Sequence, residues 1–148
     1  IKAVTPGDFL DSGIPIQTQQ PSASSWGERG YYKVWLNEGT SWMYPYQHDA
    51  ERKMTELANR FEHPSELERR ALNQLARELL LAQSSDWAFQ IYQGTTVEYA
   101  SRRFRSHIHR FNLLAGEIER GAINEELLAE IESRDNIFRE IDYRIYRS

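Results

Sequence analysis

Ser65-Glu66-Leu67-Glu68-Arg69-Arg70-Ala71-Leu72-Asn73-Gln74-Leu75-Ala76-Arg77-Glu78-Leu79-Leu80-Leu81-Ala82 is the stretch that decides the fold. Ser65 followed three residues later by Glu68 is a capping box, in which each side chain satisfies an amide the helix start leaves free. Leu67, Leu72, Leu75, Leu79 and Ala82 then recur at helical spacing, so this segment reads as a helix with one inward face that stops near Ser84-Ser85.

The same reading extends in both directions. Upstream, Trp42, Tyr46, Ala50, Met54, Leu57 and Phe61 return every three or four residues, and Pro45 suits a first turn where no amide donor is missed. Downstream, Thr95 and Glu98 repeat the capping signature after Gly94. A further helix runs through Val97, Ala100, Phe104, Ile108, Phe111, Ala115 and Ile118 to Gly121, a natural residue to end it. Asn124 is placed to cap a short helix carrying Leu127, Leu128 and Ile131. The tail from Asp135 to Tyr146 is rich in aromatic and aliphatic residues and is expected to dock rather than fray. These patterns predict an all-α fold, a bundle of about four helices.

Residues 1–41 differ. They lack helical periodicity and are dense in turn formers, among them Pro6-Gly7, Asp11-Ser12-Gly13, Pro15, Pro21, Gly27, Gly30 and Gly39. A floppy linker is excluded by Trp26, Tyr31, Tyr32 and Trp35, because linkers are poor in aromatics. The expected organisation is an irregular, aromatic-rich segment over 1–41 forming one unit with a helical bundle over 42–148. The start, Ile1-Lys2-Ala3-Val4, reads as the end of a strand begun earlier, and the chain as a piece of a longer protein.

Bulk properties exclude several classes. The 148 residues carry 40% hydrophobic and 27% charged side chains, ordinary for one globular domain. A net charge of -4 gives no basic field for nucleic acid. No apolar run approaches the roughly 18–20 residues of a membrane span. The absence of cysteine removes disulfides, thiolate metal sites and cysteine nucleophiles, and fits a reducing, cytoplasmic setting.

Candidate chemistry is sparse. His107 and His109 lie two apart, so on a helix they point about 200° from each other and cannot chelate together. His48 and His63 have no partners at ligand spacing. All four histidines are therefore expected at surface or capping positions, and no metal site or cofactor is expected. No G-x-S-x-G elbow is present, and Gly27-Glu28-Arg29-Gly30 lacks phosphate-loop spacing. Glycosidic chemistry needs two carboxylates about 5–9 Å apart. Asp86 alone is unusually placed, between an apolar helix and Trp87, as a binding residue or a helix-end hydrogen-bond acceptor. The other acids read as solvated helix faces. Trp26, between Ser25 and Gly27, is expected at an exposed or interface position, where its face can stack on a ligand such as a sugar. Trp42 reads as core. Trp35, alternating with Val34 and Leu36, reads equally as core or as site.

At these residues a resemblance enters. Ser24-Ser25-Trp26-Gly27, Gly30-Tyr31 and Val34-Trp35-Leu36-Asn37 resemble the segment that follows the barrel in glycoside hydrolase family 57, most closely in its 1,4-α-glucan branching members. Leu79-Leu80-Leu81-Ala82-Gln83-Ser84-Ser85-Asp86-Trp87, Thr95-Thr96-Val97-Glu98-Tyr99-Ala100, and Asp135-Asn136-Ile137-Phe138 leading to Ile141-Asp142-Tyr143-Arg144 agree in order and spacing. Glu28-Arg29 and Ala88 depart from it, standing where relatives often place smaller residues and Pro.

The resemblance implies a C-terminal helical domain packed on an N-terminal β/α barrel of the same polypeptide. That barrel holds the catalytic Glu and Asp, so no catalytic residue is expected here. It further implies that Trp26, Asp86 and Trp35 contact an α-1,4-glucan. Alternatives are a parent amylase or 4-α-glucanotransferase, or a non-enzymatic helical module whose aromatic segment docks a protein.

Overall fold

Every helix expected from the sequence forms, and two shorter ones join them. The computed structural model describes residues 1–148 and contains α1 (Pro6–Asp11), α2 (Met43–Arg60), α3 (Glu66–Ala82), α4 (Asp86–Gln93), α5 (Val97–Arg120) and α6 (Glu125–Arg134). The box at α3 is made as expected, with the Glu68 amide donating to Ser65 Oγ at 3.3 Å and the Ser65 amide donating to Glu68 Oε2 at 2.7 Å. Asn124 caps α6 by accepting from the Leu127 amide at 3.1 Å. Gly121 ends α5 in the left-handed region at φ 63°, which a side chain would resist.

Two local expectations are corrected. The Thr95/Glu98 box does not form. α5 starts after Thr96, whose hydroxyl instead donates to Gln90 Oε1 at 2.8 Å and so ties the new helix to α4. Ile1–Val4 form no strand here.

α3 is the central helix and packs most extensively on α5. Leu72, Leu75 and Leu79 are fully buried against Phe104, Phe111 and Leu114, with Met54 and Leu57 of α2 and Leu128 of α6 closing the same core. Burying each such side chain contributes about 1.5–3 kcal/mol. Trp42 joins the core from its edge, meeting Phe104 edge-on at 5.4 Å between ring centroids.

The tail docks. Tyr143 is buried, its hydroxyl donates to the Phe61 carbonyl at 2.6 Å, and Arg147 donates to the carbonyls of Ala58 and Phe61 at 3.1 and 2.9 Å. Those carbonyls belong to the last turn of α2 and its end, where a helix leaves acceptors unpaired. By contrast, residues 1–24 are exposed throughout, and α1 buries nothing despite a complete Thr5/Asp8 capping box. No helix is long and apolar enough to cross a membrane.

Candidate functional site

The site forms where the aromatic segment crosses α4. That helix was not foreseen, because only eight residues separate Ser85 from Gly94 and its apolar residues face two ways. Trp87 and Ile91 point inward, one turn apart. The Trp87 indole donates to the Leu81 carbonyl at 2.7 Å, which fixes the corner between α3 and α4. Asp86, Phe89 and Tyr92 recur every three residues on a different face, as helical geometry requires.

The segment is held onto this face by its own hydrogen bonds and by aromatic contact. Ser25 Oγ is a hub. It donates to the Tyr31 carbonyl at 2.6 Å and accepts from the Gly27 amide at 3.0 Å and the Trp35 indole at 3.3 Å. The Trp35 carbonyl accepts from Thr40 Oγ1 and from the Tyr44 hydroxyl, both at 2.7 Å. Phe89 lies 6.1 Å from Trp26 and 6.3 Å from Trp35 between ring centroids. The Tyr92 hydroxyl donates to Glu28 Oε2 at 2.5 Å. That bond and the nearby Lys33 ammonium hold the Glu28 carboxyl below its ordinary value.

Of the residues singled out from sequence, Trp26 is 84% exposed, with Phe89 beneath it. Trp35 is half-buried and lines a cleft of about 220 Å³ with Tyr44, Gln47, Ser84 and Ser85. Asp86 is exposed at the start of α4, where Oδ2 accepts from Ser84 Oγ at 2.8 Å. Trp26 and Trp35 thus both meet Phe89 of α4, and Asp86 begins the same helix. Phe89 and Tyr92 were missed, although Asp86-x-x-Phe89-x-x-Tyr92 ahead of Gly94 is a legible helical stripe. The largest surface hollow, about 600 Å³, runs along α5 from Val97 to Arg110 and contains none of these residues.

Beneath Trp87 lies a buried charged cluster. His107 was expected at a surface or capping position with His48, His63 and His109; those three are exposed, but His107 is fully buried inside α5. Its ring stacks near Trp87 at 6.3 Å and 25°. Arg103 Nη2 approaches His107 Nε2 at 3.1 Å, so that nitrogen accepts and Nδ1 donates to Glu78 Oε2 at 2.7 Å. Arg110 spans Glu78 at 3.1 Å and Asp135 at 2.9 Å. Burial alone would raise the Glu78 carboxyl, but the His107 hydrogen bond and the Arg110 charge outweigh it and hold it below its ordinary value. Burial and then the Glu78 charge raise Asp135.

Glu78, His107 and Asp135 bring one ligand atom each within 4.8 Å of one another, a spacing a metal could use. The Arg110 guanidinium lies against both carboxylates, and Arg103 lies 3.9 Å from Asp135, so two arginines bring positive charge to the cluster. The sequence holds a signal for the cluster: Gln74 and Glu78, one turn apart, adjoin the inward-facing Leu75 and Leu79 of the central helix, and buried polar groups need partners.

An all-helical domain with exposed aromatic side chains along one edge is the class this fold defines. The chain belongs to the family described as 1,4-alpha-glucan branching enzyme, C-terminal, whose sequence pattern matches residues 46–146.

The chain is similar to the 1,4-alpha-glucan branching enzyme of Thermococcus kodakarensis, 39% identical over 147 residues, covering 95% of this chain and 22% of that protein. The crystal structure of that enzyme superposes with a TM-score of 0.86 over all of this chain and 28% of that one. The branching enzyme of Pyrococcus horikoshii is 40% identical with a TM-score of 0.84, over 99% of this chain and 29% of that one. The alpha-amylase AmyC of Thermotoga maritima is 38% identical with a TM-score of 0.76, over 98% of this chain and 26% of that one. The chain thus spans between a fifth and a third of the length of these relatives.

Proposed function

We propose that this domain completes the substrate cleft of a cytoplasmic 1,4-α-glucan branching enzyme, whose N-terminal barrel carries the catalytic carboxylates. The parent reaction cleaves an α-1,4 bond, holds a glycosyl-enzyme, and passes the chain to a sugar 6-hydroxyl. The domain contributes Trp26 and Trp35 as stacking surfaces, Asp86 as a charged acceptor for sugar hydroxyls, and a wall that excludes water.

One observation carries this reading: Trp26 is exposed yet braced from below by Phe89, on the helix whose first residue is Asp86. A glucose unit presents an apolar face and a rim of hydroxyls, so it needs both kinds of group in one place. The Thermococcus relative was crystallised with glucose. A hydrolytic parent is the second reading, favoured by the likeness to the Thermotoga amylase. Branching is preferred because the matching family and two relatives are branching enzymes.

The test is Trp26→Ala and Asp86→Asn in the full-length polypeptide, assayed for branching of amylose. Each should remove roughly 1–3 kcal/mol of binding with helical circular dichroism unchanged. Product-linkage analysis separates new α-1,6 bonds from hydrolysis. The 148-residue chain alone should turn over no amylose. Full branching activity in both variants, or turnover by the isolated chain, overturns the proposal.

A further inference from the structure

We infer that Phe89 is a positioning residue, resting on the reading above: it orients Trp26 and Trp35 as one stacking unit, and Tyr92 fixes the loop between them. Phe89 is the one ring within aromatic contact of both tryptophans, at 6.1 and 6.3 Å, and its plane is tilted almost equally to each, by 36° and 35°. Trp26 has no other aromatic neighbour. With 84% of its surface open, the orientation of its indole depends on this contact.

The second anchor acts from the same helical stripe. Tyr92 sits one turn beyond Phe89, and its hydroxyl donates to Glu28 two residues after Trp26. Lys33 pairs with the same carboxylate at 3.5 Å. Glu28 itself neighbours Arg29, which adopts the left-handed region at φ 56°, a conformation that a bulky residue keeps only when its surroundings hold it. The backbone carrying Trp26 is thus held at Ser25 by its hydroxyl bonds and at Glu28 by Tyr92. The indole between them is seated on Phe89.

This arrangement assigns α4 a directing role. Asp86, Phe89 and Tyr92 share one face, so the carboxylate that would meet sugar hydroxyls and the ring that seats the stacking surfaces have a spacing set by the helix. Phe89 touches no substrate in this scheme. It acts through the tryptophans.

The experiment compares Phe89→Leu, Phe89→Tyr, Tyr92→Phe and Trp26→Ala in the full-length enzyme, reading KM and kcat for amylose, the ratio of transfer to hydrolysis, and thermal melting. Phe89→Leu keeps apolar volume but loses the flat ring. It should raise KM about tenfold and shift products toward hydrolysis, with melting close to the parent, as expected from losing two aromatic contacts. Phe89→Tyr should restore the parent values. Tyr92→Phe should raise KM in the same direction by a smaller factor. If Phe89→Leu behaves like the parent while Trp26→Ala raises KM, the positioning role is wrong and the glucan-contact reading stands. If Phe89→Leu lowers melting and kcat with KM unchanged, Phe89 is a packing residue and the inference fails. If neither Trp26→Ala nor Phe89→Leu changes KM, the glucan-contact reading fails with it.

Discussion

His107 on α5 donates a 2.7 Å hydrogen bond from Nδ1 to Glu78 on α3, with both side chains fully shielded from solvent. This contact joins the two most extensively packed helices of the bundle through a buried hydrogen bond rather than through leucine, directly beneath the Trp87 that anchors α4.

Glu78→Gln keeps the shape of the side chain but leaves Arg110 with Asp135 as its one buried carboxylate partner. Removing one member of a buried ion pair typically costs about 3–5 kcal/mol. A urea titration of the 148-residue chain should show that loss as a lower midpoint with the slope unchanged. A change under about 1 kcal/mol would mean the cluster does not stabilise the fold. Because the Glu78 carboxyl is held below its ordinary value of 4.5, its contribution is in place above that pH and is lost as pH falls through the lowered value. Asp135, raised by burial, has the opposite sign: its folded-state penalty is relieved in acid.

Leu75 and Phe104 are fully buried, whereas Trp26 lies open. Leu75→Ala and Phe104→Ala should each destabilise the chain by about 2–5 kcal/mol, through lost transfer energy and residual cavities. Trp26→Ala should cost under about 1 kcal/mol, the scale of one exposed aromatic contact. Equal melting losses for Trp26→Ala and Phe104→Ala would make Trp26 a core residue and end its assignment to a binding surface.

Gly27 admits no side chain. A Cβ there would sit 2.2 Å from the Tyr31 carbonyl oxygen, with Ser25 Oγ at 3.0 Å. Gly27→Ala must therefore move the backbone that carries Trp26. Since the loop lies outside the core, melting should stay near the parent while, under the proposed function, branching of amylose by the full-length polypeptide drops as far as in Trp26→Ala. Parent-like activity would show that the loop's conformation is immaterial.

Asp142 caps the 3₁₀ turn at Tyr143–Tyr146, and its carboxyl is pulled down to about 2, first by the Arg144 side-chain hydrogen bond and then by the Arg144 amide. A lowered carboxyl stabilises the fold above its ordinary value and ceases to as pH falls through the folded one. Near-ultraviolet dichroism of the docked tail should accordingly weaken between about pH 4 and pH 2. Asp142→Asn should flatten that part of the profile, and because the group is exposed the effect should be small. An unchanged profile in the variant would separate tail docking from Asp142.

The sequence by itself determined four helices, the caps of α3 and α6 and most of the core, because those rest on local chemistry. Leu72, Leu75 and Leu79 repeat at helical spacing wherever they are placed, Ser65 and Glu68 need only each other, and Gly121 needs only its own φ. Trp26 stood out on the same ground, as a large ring among small residues. Tertiary structure alone decided what lies beneath that ring. Phe89 is sixty-three positions from Trp26 and Glu28 sixty-four from Tyr92, and no periodicity connects side chains across such a distance. α4 escaped notice because eight residues are too few for a one-sided pattern when one face meets the core and another meets the segment. His107 escaped for a related reason. An isolated histidine is polar by composition, and only the approach of α3 to α5 supplies the carboxylate that lets it be buried.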